Sequence, residues 1–264
     1  GSANIADMCL KNNVKRLIHM SSIHVYDFLD YRRPISEKSN FSSRDWHGDY
    51  AYSKVLAEKE VRKRIEKGLK VIILNPTGII GPNDFEPSRM GTFFLDIFYK
   101  RYPTTINGGF HYIDARDVGK MVISSFLKGR VGESYILSEN FYSMKKIYEM
   151  CHEITGLSVP KFEIPLAFAY LGIPFEKLKA IIFRKEPLIT SESLRTLNAM
   201  MELDNRKAIN ELGFNPRKMK ETLRDIYIWF IKNGFINLKD EKGLTKEKCE
   251  LLIKEEKEVY LKAG

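Results

Sequence analysis

A tyrosine and a lysine stand four residues apart in the segment DYAYSK, at Tyr50 and Lys54. On a helix this spacing brings both side chains to the same face. A free phenol, with a pKa of about 10, exchanges protons poorly at neutral pH, but a neighbouring ammonium group stabilises its phenolate. Tyr50 is therefore a candidate acid/base for a hydroxyl or carbonyl substrate, although the pattern alone leaves a purely structural role open.

A pair of hydroxyls, Ser21 and Ser22, precedes this segment in the chain. They directly follow Val14–Met20, an apolar run typical of a short buried strand. Because ligands of open α/β sheets bind at the carboxyl ends of the strands, a serine at this place can hold the oxygen that Tyr50 addresses.

The elements that must position these groups alternate between helix and strand. Sequence patterns predict helices over 3–13, 49–67, 90–100, 113–127, 203–212, 219–233 and 246–262, and strands over 14–20, 69–74, 133–137 and 162–164. The βαβ order predicts an α/β fold with a partial doubly wound, Rossmann-type parallel sheet and helices on both faces. After Phe141 the pattern becomes mostly helical, which predicts a smaller second domain.

Charge and composition exclude several classes of function. The net charge of +9 is scattered along the 264 residues. Its densest run, Arg62-Lys63-Arg64, follows Glu58 and Glu60, so we expect i,i+4 ion pairs on a solvated helix face. We therefore expect no nucleic-acid partner.

The cysteines and histidines suggest neither disulfides nor metal. Cys9, Cys151 and Cys249 lie far apart, and His47, His111 and His152 show no metal-binding spacing, so we expect no metal site and a reducing, cytoplasmic compartment. We expect no signal peptide. The most apolar stretch, 164–183, is interrupted by prolines and charges and is not expected to span a membrane.

Several motifs together resemble one family. In order they are VKRLIHMSSIHVYD, YAYSKVLAEKEV, GLKVIILNPTGIIGPND, HYIDARDVGKMV and the closing LDNRKAINELGFNPRKMKETLRDIYIWFIKNG. This order resembles the extended short-chain dehydrogenases/reductases of the NAD(P)-dependent epimerase/dehydratase superfamily, closest to the dihydroflavonol-reductase-like and sugar-epimerase-like branch. The resemblance spans about residues 1–234.

The resemblance implies a role for each matching residue. Ser22, four before Tyr26, orients and polarises the reacting carbonyl, Tyr50 is the acid/base, and Lys54 stabilises the phenolate and hydrogen-bonds the nicotinamide ribose. The cofactor is then NAD or NADP, which carries the hydride. The nicotinamide end is expected to pack on the turn Asn75-Pro76-Thr77.

The sequence also contains candidate substrate contacts, and for each of them a structural role is an equal alternative. His24 follows Ser22 by two residues, where substrate contact and a simple surface turn are both compatible with the pattern. Asn83, Phe85 and Arg89 fall in the loop that faces the substrate in the family, and loop packing is an equal alternative. Dehydratases of the superfamily carry an acidic pair just after the catalytic hydroxyl, so Ile23 and His24 argue against sugar dehydration.

The chain also departs from the family pattern. It contains no GxGxxG, and its other glycine pairs lie in places typical of turns. We expect about 80 residues of the family's nucleotide-binding domain, counted from its missing strand–helix units, to be absent. Cofactor binding is expected to be lost if they are truly missing, and the exposed sheet edge should then favour homodimers, segment exchange or aggregation.

These observations predict three regions. Residues 1–140 form the C-terminal half of a Rossmann domain, with 82–110 contributing to the substrate side, 141–238 form a small, mostly helical substrate domain, and 239–264 form a charged helical tail. The predicted function is NAD(P)-dependent reduction of a carbonyl or oxidation of a secondary alcohol. The alternatives are a nucleotide-sugar epimerase using the same site, and an inactive fragment or cofactor-sensing protein.

Overall fold

The computed structural model describes residues 1–28, 33–174, 191–198 and 202–263. The chain forms two compact units, each built from separate stretches. The first comprises Gly1–Ile79, His111–Phe141 and Ala199–Pro216, and the second comprises Ile80–Phe110, Tyr142–Asn198 and Arg217–Gly264. The functional boundaries 1–140, 141–238 and 239–264 remain predictions.

Strands and helices alternate along most of the chain. The strands of the described residues are β1 (Leu17–Met20), β2 (Val71–Pro76), β3 (Gly78–Ile80), β4 (Thr105–Ile106), β5 (Gly109–Asp114), β6 (Ser134–Leu137), β7 (Asn140–Ser143) and β8 (Glu163–Ile164). Their helices are α1 (Ser2–Lys11), α2 (Arg44–His47), α3 (Asp49–Ile65), α4 (Arg89–Phe98), α5 (Ala115–Lys128), α6 (Met144–Thr155), α7 (Leu166–Leu171), α8 (Ser191–Asn198), α9 (Arg206–Leu212), α10 (Met219–Lys232) and α11 (Gly243–Ala263).

The first unit is built around a parallel sheet with strand order β1-β2-β6. Leu17 pairs with Val71 between β1 and β2, and Ile73 pairs with Ser134 between β2 and β6. All six residues of β2 are buried, as expected for a central strand covered on both faces. This arrangement confirms the predicted α/β class with a parallel sheet.

Helices cover both faces of this sheet because successive β2 side chains point to opposite sides. Ile72 and Leu74 pack in a cluster that includes Val118 of α5 and Leu212 of α9. On the other face, α1 and α3 pack against β2. The buried residues of this cluster are Ala6 of α1, Val61 of α3, Leu69 just before β2, and Val71 and Ile73 of β2. Each fully buried aliphatic side chain contributes about 1.5–3 kcal/mol to stability.

The second unit is mainly helical. Helix α6 packs against α10 and α11, and the two-residue strands β4 and β8 pair in parallel. The core of α6 and α10 includes Cys151, Leu223, Tyr227 and Phe230. Within the described residues, no helix is both long enough and apolar enough to cross a bilayer. The apolar stretch 164–183 continues beyond Pro174 into residues outside the described ranges.

Several predicted elements begin later than expected: the strand predicted over 14–20 begins at Leu17, and the helix predicted over 203–212 begins at Arg206. The helix predicted over 113–127 begins at Ala115, because Ile113 and Asp114 end strand β5. Asp114 is the N-cap of α5, and its side chain accepts the backbone N–H of Arg116 at 2.8 Å. The strand therefore passes directly into the helix, and the apolar residues before Asp114 belong to the strand.

Candidate active site

The ends of β1 and β2 carry the polar residues of the candidate site. Ser21 and Ser22 follow β1, and the Ser21 N–H donates to the carbonyl of Leu74 at 2.8 Å, which extends the strand pairing by one step. Asn75 and Pro76 end β2, and the Thr77 N–H donates to the carbonyl of Leu137 at 3.0 Å. Because β1 and β2 are parallel, these residues share the carboxyl edge of the sheet.

The predicted hydroxyl sits at a tight turn. Ser22 is buried and has extended backbone angles, and a single 3₁₀ turn, Ile23–Val25, follows it. The Ser22 Oγ accepts the backbone N–H of His24 at 3.2 Å. This bond fixes the side chain at the start of the turn while its own hydrogen stays available as a donor.

Helix α3 carries the predicted acid/base pair near its amino terminus. It begins at Asp49, after Gly48 adopts a φ of 91°, a conformation that glycine enters without strain. Tyr50 is 50% exposed. The Nζ of Lys54, one turn later, lies 5.8 Å from the centre of the Tyr50 ring. The expected shared helix face is therefore present.

A row of edge-to-face rings connects Tyr50 with the turn after Ser22. The ring centres of Tyr50 and His24 are 5.6 Å apart, those of His24 and Phe28 5.3 Å, and those of Phe28 and His47 4.7 Å. The His47 Nε2 then contacts the Asp27 carboxylate at 2.8 Å. Aromatic rings favour edge-to-face contacts at these distances, and the contacts hold the Tyr50 ring beside the turn.

His24 is an uncharged group in this row. Burial, with a smaller contribution from the nearby His47, lowers the pKa of His24 to about 4. At neutral pH its imidazole is therefore neutral, with one nitrogen that donates and one that accepts. The structure thus places His24, one of the predicted substrate residues, in contact with Tyr50.

A buried carboxylate lies behind the strand ends, and sequence analysis did not single it out. Glu58 on α3 is fully buried, which makes the expectation of a solvated face wrong for this residue. Its ion pair with Arg62, 2.7 Å between Oε1 and Nη2, does have the expected i,i+4 spacing. Its Oε2 accepts hydrogen bonds from the Ser21 Oγ at 2.6 Å and the Asn75 Nδ2 at 3.2 Å.

The Asn75 side chain completes this buried network. Its Nδ2 also donates to the carbonyl of Ser22 at 3.2 Å, and its Oδ1 accepts from the Tyr26 hydroxyl at 3.4 Å. Burial, followed by the charge of Glu58, raises the pKa of Tyr26 and keeps its phenol protonated. The Asn75 amide is therefore engaged inside the protein.

A sequence signal for the network does exist. Tyr50, Lys54, Glu58 and Arg62 follow one another at intervals of four along α3. Residues at this interval form a continuous stripe along a helix. The polar stripe that carries the acid/base pair thus continues into the buried carboxylate.

The other predicted substrate residues lie in the second unit. Asn83 has a φ of 68°, and Phe85 is 74% exposed with its ring edge-on to Trp229 at 5.4 Å. Arg89 is the first residue of α4, whose N-cap Ser88 accepts the Gly91 N–H. All three are exposed within that unit.

The residues present fit one end of a nicotinamide dinucleotide. The Tyr50 hydroxyl and the Lys54 ammonium suit the ribose hydroxyls, and Pro76 and Thr77 are buried at the carboxyl end of β2, the edge of the sheet where ligands of this fold class bind. The sequence has no glycine-rich turn of the kind that binds the pyrophosphate. The fit therefore concerns the nicotinamide riboside part.

Comparison with known proteins identifies one family and several related proteins. The profile of the NAD dependent epimerase/dehydratase family matches residues 1–136. The chain is 28% identical over 244 residues to a putative dihydroflavonol 4-reductase from Synechocystis sp., covering 89% of this chain and 70% of that protein. It is also 28% identical over 240 residues to sterol demethylase protein B from Methylococcus capsulatus, covering 89% and 72%.

A solved structure agrees with this assignment. The crystal structure of gox2253 superposes with a TM-score of 0.76 and 28% identity, covering 89% of this chain and 72% of that one. The sequence match extends over half of the chain, and the parallel sheet with its flanking helices is the fold of this relative. The chain therefore belongs to the NAD-dependent epimerase/dehydratase family.

Proposed function

We propose that this chain is an NAD(P)-dependent oxidoreductase that reduces a carbonyl or oxidises a secondary alcohol, with Ser22, Tyr50 and Lys54 as its catalytic residues. The observation that carries the proposal is the contact row from Ser22 through His24 to Tyr50 and Lys54. The reductase name of the Synechocystis relative supports the reaction class.

Each side chain has a distinct task in this proposal. The Ser22 hydroxyl donates a hydrogen bond to the substrate oxygen and polarises the carbonyl. Tyr50 donates its proton to that oxygen during reduction, and the Lys54 ammonium stabilises the phenolate that remains. The phenol then regains a proton from solvent, to which it is half exposed. When bound, the nicotinamide supplies or accepts the hydride.

Contacts to the rest of the substrate are part of the proposal. His24 offers a neutral imidazole next to Tyr50, which suits a hydroxyl or carbonyl better than a carboxylate or phosphate. Asn83, Phe85 and Arg89 are proposed as further substrate contacts, as the family resemblance implies. Asn75, Pro76 and Thr77 are proposed to contact the nicotinamide end of the cofactor.

The test compares the protein with its Tyr50→Phe variant in two assays. The first follows oxidation of NADH or NADPH with a panel of ketones and aldehydes, where the variant should lose about 10²–10⁴-fold in kcat. The second measures affinity for reduced nicotinamide mononucleotide by its fluorescence, a probe that needs only the nicotinamide end of the site. This affinity should fall by less than about tenfold, because the variant removes one hydrogen bond to the ribose and keeps Lys54 and the aromatic ring.

The outcomes separate the reaction classes. Turnover of the Tyr50→Phe variant at the rate of the unmodified protein would contradict the acid/base role. Tightly held cofactor without net turnover, combined with inversion of a nucleotide sugar, would favour an epimerase that uses the same three residues.

A further inference from the structure

We infer that Glu58 is the positioning residue of the site: its buried carboxylate fixes the rotation of α3 on the strand ends and so aligns Tyr50 and Lys54 with Ser22. The inference rests on the proposed function, because it concerns the alignment of those three residues. It adds a residue that touches neither substrate nor cofactor.

The contacts of Glu58 define it as an acceptor for hydrogen bonds on both of its oxygens. Oε2 accepts from the Ser21 Oγ at 2.6 Å and from the Asn75 Nδ2 at 3.2 Å. Oε1 accepts from the Arg62 Nε at 3.1 Å and its Nη2 at 2.7 Å. All partners are donors, so a carboxylate satisfies them and an amide or a methyl group leaves some of them unpaired.

Two of these partners lie at the carboxyl ends of strands, and the third, Arg62 on α3 itself, reaches a further strand. Ser21 follows β1, Asn75 belongs to the end of β2, and Arg62 donates from its Nη2 to the Oγ of Ser134 in β6 at 2.6 Å. One side chain of α3 is thus linked, directly or through Arg62, to every strand of the parallel sheet in the first unit. Hydrophobic packing holds the helix on the sheet but is not directional, whereas these bonds fix its rotation and its position along its axis.

The catalytic pair shares this helix. Lys54 lies one turn and Tyr50 two turns before Glu58. The Asn75 amide that bonds Glu58 also bonds the carbonyl of Ser22, so the same network sets the position of the turn that carries the catalytic hydroxyl. A rotation of α3 therefore moves the phenol and the ammonium relative to Ser22, and misplacement by about 1 Å costs about 10²-fold in rate.

The decisive variant is Glu58→Met, which keeps the volume and removes both acceptors. We expect kcat with NADH or NADPH and the best carbonyl compound of the panel to fall about 30- to 100-fold, with its KM within about threefold. Affinity for reduced nicotinamide mononucleotide should fall about threefold or more, because Lys54 and the turn at Pro76 no longer keep their relative positions. Glu58→Gln should recover most of kcat, since its amide oxygen still serves Ser21 and Asn75 while Arg62 turns to solvent.

Two matched controls come from the same helix. Val61→Ala removes a buried contact of α3 and should lower Tm as Glu58→Met does, while leaving kcat and the mononucleotide affinity unchanged. Glu60→Gln changes a carboxylate that pairs with Lys63 and Arg64 at the surface and should change neither activity nor stability. A loss of kcat in Val61→Ala equal to that in Glu58→Met would overturn the inference, since it would mean that destabilisation alone explains the effect.

The remaining outcomes separate the two proposals. If Glu58→Met keeps full kcat while Tyr50→Phe is inactive, the positioning role is wrong and the proposed function stands. If Tyr50→Phe is fully active, the proposed function itself fails. If Glu58→Met does not fold, Ser21→Ala replaces it, because it removes only one bond to Glu58. Ser21→Ala should lower kcat several-fold while the protein stays folded, and full kcat in this variant would then overturn the inference.

Discussion

The imidazole of His24 stands edge-on to the ring of Tyr50, with their centres 5.6 Å apart. His24 also donates its backbone N–H to the Ser22 Oγ at 3.2 Å. One residue thus contacts both the proposed hydroxyl and the proposed acid/base. Any change in the charge or size of its side chain should affect the site directly.

The pH dependence of stability should reveal the burial of His24. Its pKa is about 4 in the native protein, against 6.5 for an ordinary histidine. Between these values the unfolded chain holds a proton that the native protein lacks, so the free energy of unfolding should fall as pH falls from about 6.5 to about 4, by about 1–3 kcal/mol. Burial also lowers the pKa of His19, which acts in the same direction.

The measurement is urea unfolding of the protein and of His24→Phe at several pH values from 4 to 7.5. The variant should lose stability less steeply over this window, whatever its stability at pH 7.5. Equal slopes for both proteins would show that His24 does not carry the lowered pKa.

The ion pair inside α3 should contribute far more to stability than its neighbour at the surface. Arg62→Met leaves the buried Glu58 carboxylate without its guanidinium and should lower the free energy of unfolding by about 2–4 kcal/mol. Lys63→Met breaks the exposed pair with Glu60 and should cost less than about 1 kcal/mol. Chemical denaturation compares the two variants, and equal costs would mean that Glu58 is solvated in solution.

The cysteines should differ sharply in reactivity. Burial raises the pKa of Cys151 and of Cys249 to about 12, so at pH 8 almost no thiolate is present at either. Cys9 is partly exposed on α1. Iodoacetamide at pH 8 should label Cys9 first in the native protein and reach all three only in denaturant. Mass spectrometry locates the label, and rapid native labelling of Cys151 would contradict its burial.

Two glycine substitutions should change stability in opposite directions. Gly108 has a φ of 131°, and a Cβ there would lie 2.5 Å from the carbonyl oxygen of Leu197, so Gly108→Ala should cost about 2–4 kcal/mol. Gly119 is exposed in the middle of α5 with nothing within 4 Å, so Gly119→Ala should add about 0.5–1 kcal/mol. Thermal denaturation of both variants tests this difference in sign.

Much of the fold follows from local patterns in the sequence. The run Leu69–Leu74 predicted β2 because a continuous aliphatic stretch is typical of a strand buried on both faces. The helix from Asp49 was predicted for its apolar spacing, and α3 ends within two residues of the expected position. The start of α5 was wrong, since strand and helix join without a turn and share one apolar run.

The helix pattern contains Glu58, but its distant hydrogen-bond partners could not be predicted from local patterns. Glu58 bonds Ser21, 37 residues away, and Asn75, 17 residues away, and neither partner can be read from the helix itself. A glutamate four residues before an arginine is usually part of a solvated pair, so the pattern favours the surface. The roles of Ser22, Tyr50 and Lys54 remain predictions, with Glu58 added to them as a positioning residue.

Because β2 is the central strand, its backbone hydrogen bonds should last longer than those at the start of α3, which carries Tyr50. Its backbone is paired with β1 and β6, so its amide hydrogens should exchange with deuterated water only when the first unit unfolds as a whole. Tyr50 lies near the start of α3 behind Gly48, which has no side chain to cap the helix, so this backbone should open and close many times while β2 stays intact. The strand ends should thus stay intact while the start of α3, with the Tyr50 phenol, opens and re-forms repeatedly.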